Sequence, residues 1–519
     1  MSKSTFIKST FILSIATLLS KVLGSVFRIP LQNIAGDEVL GIFSLVYPVY
    51  MVALILSVAG IPIAISKLIA EARAEKKEDN IKDIYVSASI LALMFGVISF
   101  LLIWMFSHQI ADVLGGSATR ISLIVVSTTL LIAPYMAVYR GFFQGFEDMK
   151  PTAFSQVIEQ FIRVAFILVA AYYLVSKGFS DESVAGGVMV GSSIGALVSL
   201  IYLRIRFNRF KATNKLPSSP YTYSTFKKWG KRILHISIPI CIGAITMALL
   251  NFIDSITIPF ALKSAGNDQG EINYLYGIYG RGLALVQIAT VFATSIVLPL
   301  IPLITSKMAA GQLEETKSVI ERTHRITHLL SWPAAFGLLA LTLPLNLALF
   351  TDLEGSLVLA IIGFSSVFTS LTVLGTGILQ GMNLAKKAAY IIVFGVIIKT
   401  IVNIVLIQQF ELTGAAVSTL IVYIVLFLLN SVFIQKQSPF KWATKQTFIV
   451  IGSSLIMGAI IGLPTLLFSL SSWTRLQALV YAGGAAVVGA IIFFALIVLL
   501  KGISKQELTT LPVIGKLVR

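Results

Sequence analysis

Long apolar runs parted by short polar stretches recur along the whole chain, and most are long enough to cross a hydrocarbon core of about 30 Å. About fourteen such spans can be drawn, over residues 6–35, 40–70, 83–107, 118–146, 151–176, 183–207, 231–260, 272–305, 325–350, 354–382, 385–409, 411–436, 446–470 and 474–501. The pattern predicts an all-α integral membrane protein. Pro62, Pro134, Pro239, Pro302 and Pro344 lie inside spans and predict kinks, because each removes one backbone donor. The first run begins with a signal-like basic stretch, but it is too long and lacks a small-residue cleavage pattern, so it reads as the first helix.

Composition agrees with the pattern: 56% of residues are hydrophobic and only 12% charged, with a mean hydropathy of +0.90. These values exceed soluble globular usage. The single cysteine, Cys241, excludes a disulfide within the chain.

The net charge is +17. Placing both termini in the cytosol puts 30 of the 40 Lys and Arg residues in cytosolic segments and only Arg120, Lys177, Lys263 and Arg475 outside. The charge is therefore a topology signal with attraction to anionic membrane lipids, and a nucleic-acid partner is not expected.

An internal repeat organises the spans. IPIAISKLIA from Ile61 matches IPLITSKMAA from Ile301, and GFFQGFEDMK from Gly141 matches GILQGMNLAK from Gly377. A weaker echo pairs SVFRIPLQNIAG from Ser25 with SITIPFALKSAG from Ser255. These matches pair span 2 with 8, 4 with 10 and 1 with 7. A unit of six helices keeps its sense on duplication, so two six-helix lobes related by a pseudo-twofold along the membrane normal are expected. The expected domains are an N-terminal lobe at 1–207, a basic cytosolic linker at 208–230, a C-terminal lobe at 231–436, two extra helices at 446–501 and a cytosolic tail at 502–519. Two such lobes would leave a cleft.

Six bases remain inside the spans, namely Lys21, Arg28, Arg140, Arg163, Arg281 and Lys399, opposed there by Glu159 and Asp254. Each costs at least about 2.5 kcal/mol near the bilayer centre, so each should face a partner or a wet cavity. Arg140 is near a span end and is expected to snorkel toward headgroups. Glu159 and Arg163, four residues apart, can pair on one helix face. Lys21 and Arg28 are two turns apart with Gly24 between them, and Arg281 sits between Gly280 and Gly282. An excess of bases suits an anion, and clustered guanidinium and ammonium groups are what phosphate or pyrophosphate recognition requires. Bonding of these bases to backbone carbonyls is the structural alternative.

The chain resembles the lipid II flippase family of the multidrug/oligosaccharidyl-lipid/polysaccharide exporter superfamily, in particular its Gram-positive polysaccharide-biosynthesis and spore-cortex-type members. SKVLGSVFR at Ser20–Arg28 looks like that family's first helix, and YGRGLALVQIATVFATSIVLPLIP from Tyr279 looks like its eighth. The second span departs from the family's Gram-negative members, having no basic residue before Lys67. The resemblance implies a multi-pass protein of the bacterial plasma membrane that moves undecaprenyl-pyrophosphate-linked peptidoglycan precursor to the outer leaflet by alternating access. It implies pyrophosphate binding by Lys21, Arg28 and Arg281, and a functional acid at Asp37. Arg163, Glu159 and Lys399 would be further cavity charges. Cell-wall synthesis proteins are expected partners, and the working unit is expected to be a monomer. Some relatives hold sodium, for which Asp254, Asn403 and Thr419 fall at comparable places; Lys399 could pair with Asp254 instead. No other cofactor is expected.

Other glycan cargoes on the same carrier lipid fit the charge pattern equally well. A drug/cation antiporter would call for membrane acids, which are outnumbered. An enzyme is not expected, since H-E-x-x-H, G-x-S-x-G and P-loop patterns are absent. His324 and His328 are four residues apart, without an evident third metal ligand, and read as solvated positions near a helix end.

Overall fold

The structure, a computed structural model, describes residues 3–58, 60–213 and 220–503. Segment 214–219 of the basic linker and segment 504–519 of the C-terminal tail lie outside the described residues. Among the described residues the regular structure is entirely helical. In chain order the helices are α1 (Lys3–Val26), α2 (Arg28–Val58), α3 (Ile61–Ala74), α4 (Asp79–Met105), α5 (Ser107–Val113), α6 (Ala118–Ser127), α7 (Ala133–Gly145), α8 (Lys150–Ser176) and α9 (Asp181–Thr213). They continue as α10 (Tyr223–Ser264), α11 (Gln269–Ala309), α12 (Leu313–Ala340), α13 (Thr342–Phe350), α14 (Ser356–Gly381), α15 (Ala385–Gln437), α16 (Lys445–Leu467) and α17 (Arg475–Leu499).

Among the described residues nine continuous helical tracks are long and apolar enough to span a membrane, and two bent pairs bring the number to eleven. Two of the tracks hold two spans each. Within 12–74 the helix breaks at Gly36 (φ 82°, ψ 178°), and within 385–437 it breaks at Glu411 (φ 48°, ψ −132°). Glycine suits the first break because a positive φ costs it little. Dividing both tracks there, and counting α10 as one more, recovers the fourteen spans drawn from the sequence.

The prolines act unevenly. Pro62 and Pro134 open α3 and α7, and a 76° bend precedes Pro344. By contrast, α10 runs unbroken through Pro239 and Pro259, since a membrane helix can absorb a lost backbone bond when neighbours support it.

The chain forms two compact units, Met1–Gly280 with Lys399–Glu411 and Arg281–Ile398 with Leu412–Arg519. In the first, a Cβ on Gly141 would stand 2.7 Å from the Pro62 carbonyl oxygen. In the second, the matching Gly377 leaves the room that Val297 occupies, and Gly381 accepts at its carbonyl from Thr305 Oγ1 at 3.0 Å. The repeated Gly-x-x-Gln-Gly segments thus serve close helix packing in each unit. The added pair α16–α17 is fastened to α12 and α13 by Gly458 and Gly462 against Phe336 and Ala340, and by Arg475 Nε donating to the Ala348 carbonyl at 2.8 Å.

Outward faces are strongly apolar. On α8, Phe161, Val169 and Tyr172 are each more than 60% exposed, whereas Arg163 on the same helix is buried. Such apolar exposure is a surface built for lipid.

Candidate functional site

Arg28 opens α2 directly after a one-residue interruption at Phe27. Pro30 helps cause it, lacking the donor that would bond the Val26 carbonyl. The guanidinium is buried, 5.9 Å from the Phe43 ring centre and 5.8 Å from that of Tyr47. Arg163 of α8 approaches the same Tyr47 ring at 5.3 Å and Phe27 at 6.0 Å. Nε and Nη1 of Arg28 and Nε of Arg163 are buried without a hydrogen-bond partner. Lys21 on α1 is half-buried, and Gly24 beside it leaves room for the Gln160 side chain.

Glu159 does not pair with Arg163 as their spacing suggested. It accepts from Arg140 at 2.7 Å, and Arg140 also donates to Ser155 at 2.9 Å and Ser199 at 3.3 Å. Arg140 therefore turns inward instead of snorkelling, because a partner on α8 is close enough to answer its charge.

Arg281 is fully buried, with a carboxylate partner in the second unit. Its two terminal nitrogens donate to Asp352 at 2.7 and 2.8 Å, Nη1 also reaches Asn346 at 3.2 Å, and Phe350 lies 5.4 Å away. Asp352 sits in the loop from α13 to α14, between left-handed Thr351 (φ 73°) and Gly355 (φ 64°), and also accepts from the Glu354 amide at 2.9 Å. Sequence reasoning missed Asp352, which falls just beyond the span drawn to residue 350. The flanking Gly282 serves packing: a Cβ there would come within 3.0 Å of Ile362.

A fourth buried base, Lys399 on α15, donates to Asp254 on α10 at 2.9 Å. Asp254 also accepts from Tyr279 at 3.0 Å and from the Asn403 amide nitrogen at 3.0 Å, while that nitrogen reaches Thr257 at 2.7 Å. Of the two alternatives the sequence left open here, the Asp254–Lys399 pair is formed. The carboxylate faces donors, not the shell of oxygens a hard cation needs, so these residues in this arrangement do not fit sodium. Thr419 lies in the second unit, its hydroxyl donating to the Ala415 carbonyl at 3.0 Å. Asp37 is buried after the Gly36 break, accepts from Gln32 at 3.1 Å, and its carbonyl lies against Gly277, where a Cβ would come within 2.0 Å.

His324 and His328 are buried, contrary to the solvated positions expected for them. Phe440 packs tilted against His324 with ring centres 4.8 Å apart, and His328 Nδ1 accepts from Trp332 at 3.0 Å. The aromatic cover comes from segments distant in sequence, so local spacing could not reveal it. Among the described residues no group of three His, Cys, Asp or Glu could hold a metal.

Known proteins bear on this arrangement. A profile of the polysaccharide biosynthesis protein family matches residues 6–308. An uncharacterized membrane protein, YabM of Bacillus subtilis, is 31% identical over 98% of this chain and 95% of its own length. The lipid II flippase MurJ of the same organism is 28% identical over 88% of this chain and 87% of its own, and stage V sporulation protein B is 26% identical over all of both. A solved lipid II flippase MurJ in an inward closed conformation superposes with a TM-score of 0.66 at 16% identity, covering 94% of this chain and 100% of that one. A multidrug resistance MATE family transporter in an inward-facing conformation gives 0.60 at 16% identity, over 82% and 95%. The class is a multi-pass membrane protein with the fold these flippase and transporter structures share. More narrowly, the chain belongs to the polysaccharide biosynthesis protein family, and the resemblance read from its first and eighth spans extends over 88% of its length.

Proposed function

We propose that this protein moves lipid II, the undecaprenyl-pyrophosphate-linked peptidoglycan precursor, from the inner to the outer leaflet of a bacterial plasma membrane by alternating access. Both termini face the cytosol in this reading, and the protein works as a monomer. Lys21, Arg28 and Arg281 are the bases that meet the pyrophosphate during the cycle, Arg281 after it leaves Asp352. The observation that carries the reading is Arg28, a guanidinium buried in an apolar membrane core with two nitrogens unpartnered. A permanently charged group left so is costly unless an anion arrives.

A second reading keeps the mechanism and changes the glycan to a capsule, teichuronic or spore unit on the same carrier lipid. It is favoured by the likeness to an uncharacterized membrane protein and a sporulation protein alongside the flippase. A drug/cation antiporter fits poorly, since the unanswered membrane charges are bases. Complementation separates the two glycan readings. In a flippase-depleted bacterium, the wild-type chain should restore lipid II at the outer surface, and Arg28→Ala at equal membrane abundance should not. A well-expressed wild type that restores nothing removes lipid II as cargo and leaves the second reading.

A further inference from the structure

Arg28 is not the only guanidinium in its neighbourhood without a paired carboxylate: Arg163 hydrogen-bonds the Tyr47 side chain but forms no ion pair, and its Nε is left without a partner. Arg163, only 7% exposed, reaches it from another helix, and the two share one ring, Tyr47. Phe27 and Phe43 close the other sides, with Phe43 stacked on Tyr47 at 5.5 Å. Three guanidinium nitrogens are buried there without a partner, and so is the hydroxyl of Tyr276, which lies within electrostatic reach of Arg28. The acid on Arg163's own helix acts on it only through space, since Glu159 makes its ion pair with Arg140 at 2.7 Å.

The aromatic rings cannot balance these charges. Cation–π contacts return less than the burial of each ion costs, and two like charges on one ring add repulsion. What the pocket lacks is negative charge spread over two centres, with oxygens to accept from planar, forked donors.

We propose that Arg28 and Arg163, flanking Tyr47, form a two-guanidinium site for a pyrophosphate, in which Arg163 supplies the preference for two phosphates over one. This rests on the proposed glycolipid cargo, but it assigns the second guanidinium to Arg163, which the first unit alone provides. Arg281 carries its own carboxylate and is not required for this preference.

The test is calorimetric binding of farnesyl pyrophosphate and farnesyl monophosphate to the full chain in lipid nanodiscs. Wild type should prefer the pyrophosphate by about tenfold or more, the scale of one lost charge-assisted contact. Arg163→Ala should lose most of that preference while binding the monophosphate nearly as before, a change that a merely structural role would not produce. Arg28→Ala should weaken both. If Arg163→Ala keeps the wild-type ratio while Arg28→Ala loses binding, the assignment of Arg163 is overturned and the cargo reading stands. If wild type binds neither lipid, or Arg28→Ala binds both as wild type does, the cargo reading falls and this inference with it. Should Arg163→Ala fail to fold, Arg163→Lys decides: it keeps the charge without the fork, so a ratio reduced several-fold supports the site and an unchanged ratio overturns it.

Discussion

Arg28 and Arg281 are the two most deeply buried arginines among the described residues, 4% and 0% exposed, and from sequence they carried the same expectation. Their surroundings differ in one respect. Arg281 has a carboxylate held bidentate by its two terminal nitrogens, whereas Arg28 shares one aromatic ring, Tyr47, with a second base and leaves two nitrogens without partners. Burial alone therefore does not mark a ligand-binding charge; what matters is whether the fold already supplies the counter-ion. The Lys399–Asp254 pair belongs with Arg281 in this respect.

That contrast can be broken most sharply by removing one partner from each kind of site. Deleting Arg28 removes a charge nothing in the fold balances, so Arg28→Ala should abolish glycolipid export to background while its melting temperature stays within a few degrees of wild type. Deleting an answered acid does the reverse. Asp254→Ala strands Lys399 and should cost about 3–5 kcal/mol of stability, visible as a large drop in thermal melting in detergent. Adding Lys399→Met to it should recover most of the loss. Asp352 has a side chain 38% exposed, so water screens its pair and Asp352→Asn should cost only about 1 kcal/mol. Freed of that acid, Arg281 should become protected by added pyrophosphate in a melting assay. Gly36→Ala should cost about 1–2 kcal/mol, because the positive φ at the first helix break is strained for any side chain. The smallest effect is expected from sodium. With Lys399 and Asn403 facing Asp254, replacing sodium by choline should leave the transport rate unchanged.

Much of the architecture is legible in the sequence because the bilayer imposes a length on each apolar run. Breaks at Pro62 and Pro134 followed from one residue's missing donor. Charge pairing was harder, since partners lie far apart along the chain. Asp254 and Lys399 were visible only as alternatives, Glu159 went to Arg140 nineteen residues away instead of to Arg163 on its own helix, and Asp352, just beyond the span drawn to residue 350, was missed. Helical spacing shows which groups share a face, not which neighbouring helix meets that face. The histidine pair shows the same limit, for its cover of Phe440 comes from the segment after α15.

The most direct test of the central claim is a leaflet assay in proteoliposomes. Fluorescent undecaprenyl-pyrophosphate disaccharide is loaded in the membrane, and a quencher that cannot cross reports its arrival outside. The account predicts that wild type speeds arrival well above empty liposomes and that Arg28→Ala falls to their level. Equal rates for wild type and Arg28→Ala, in equally well reconstituted protein, would contradict it.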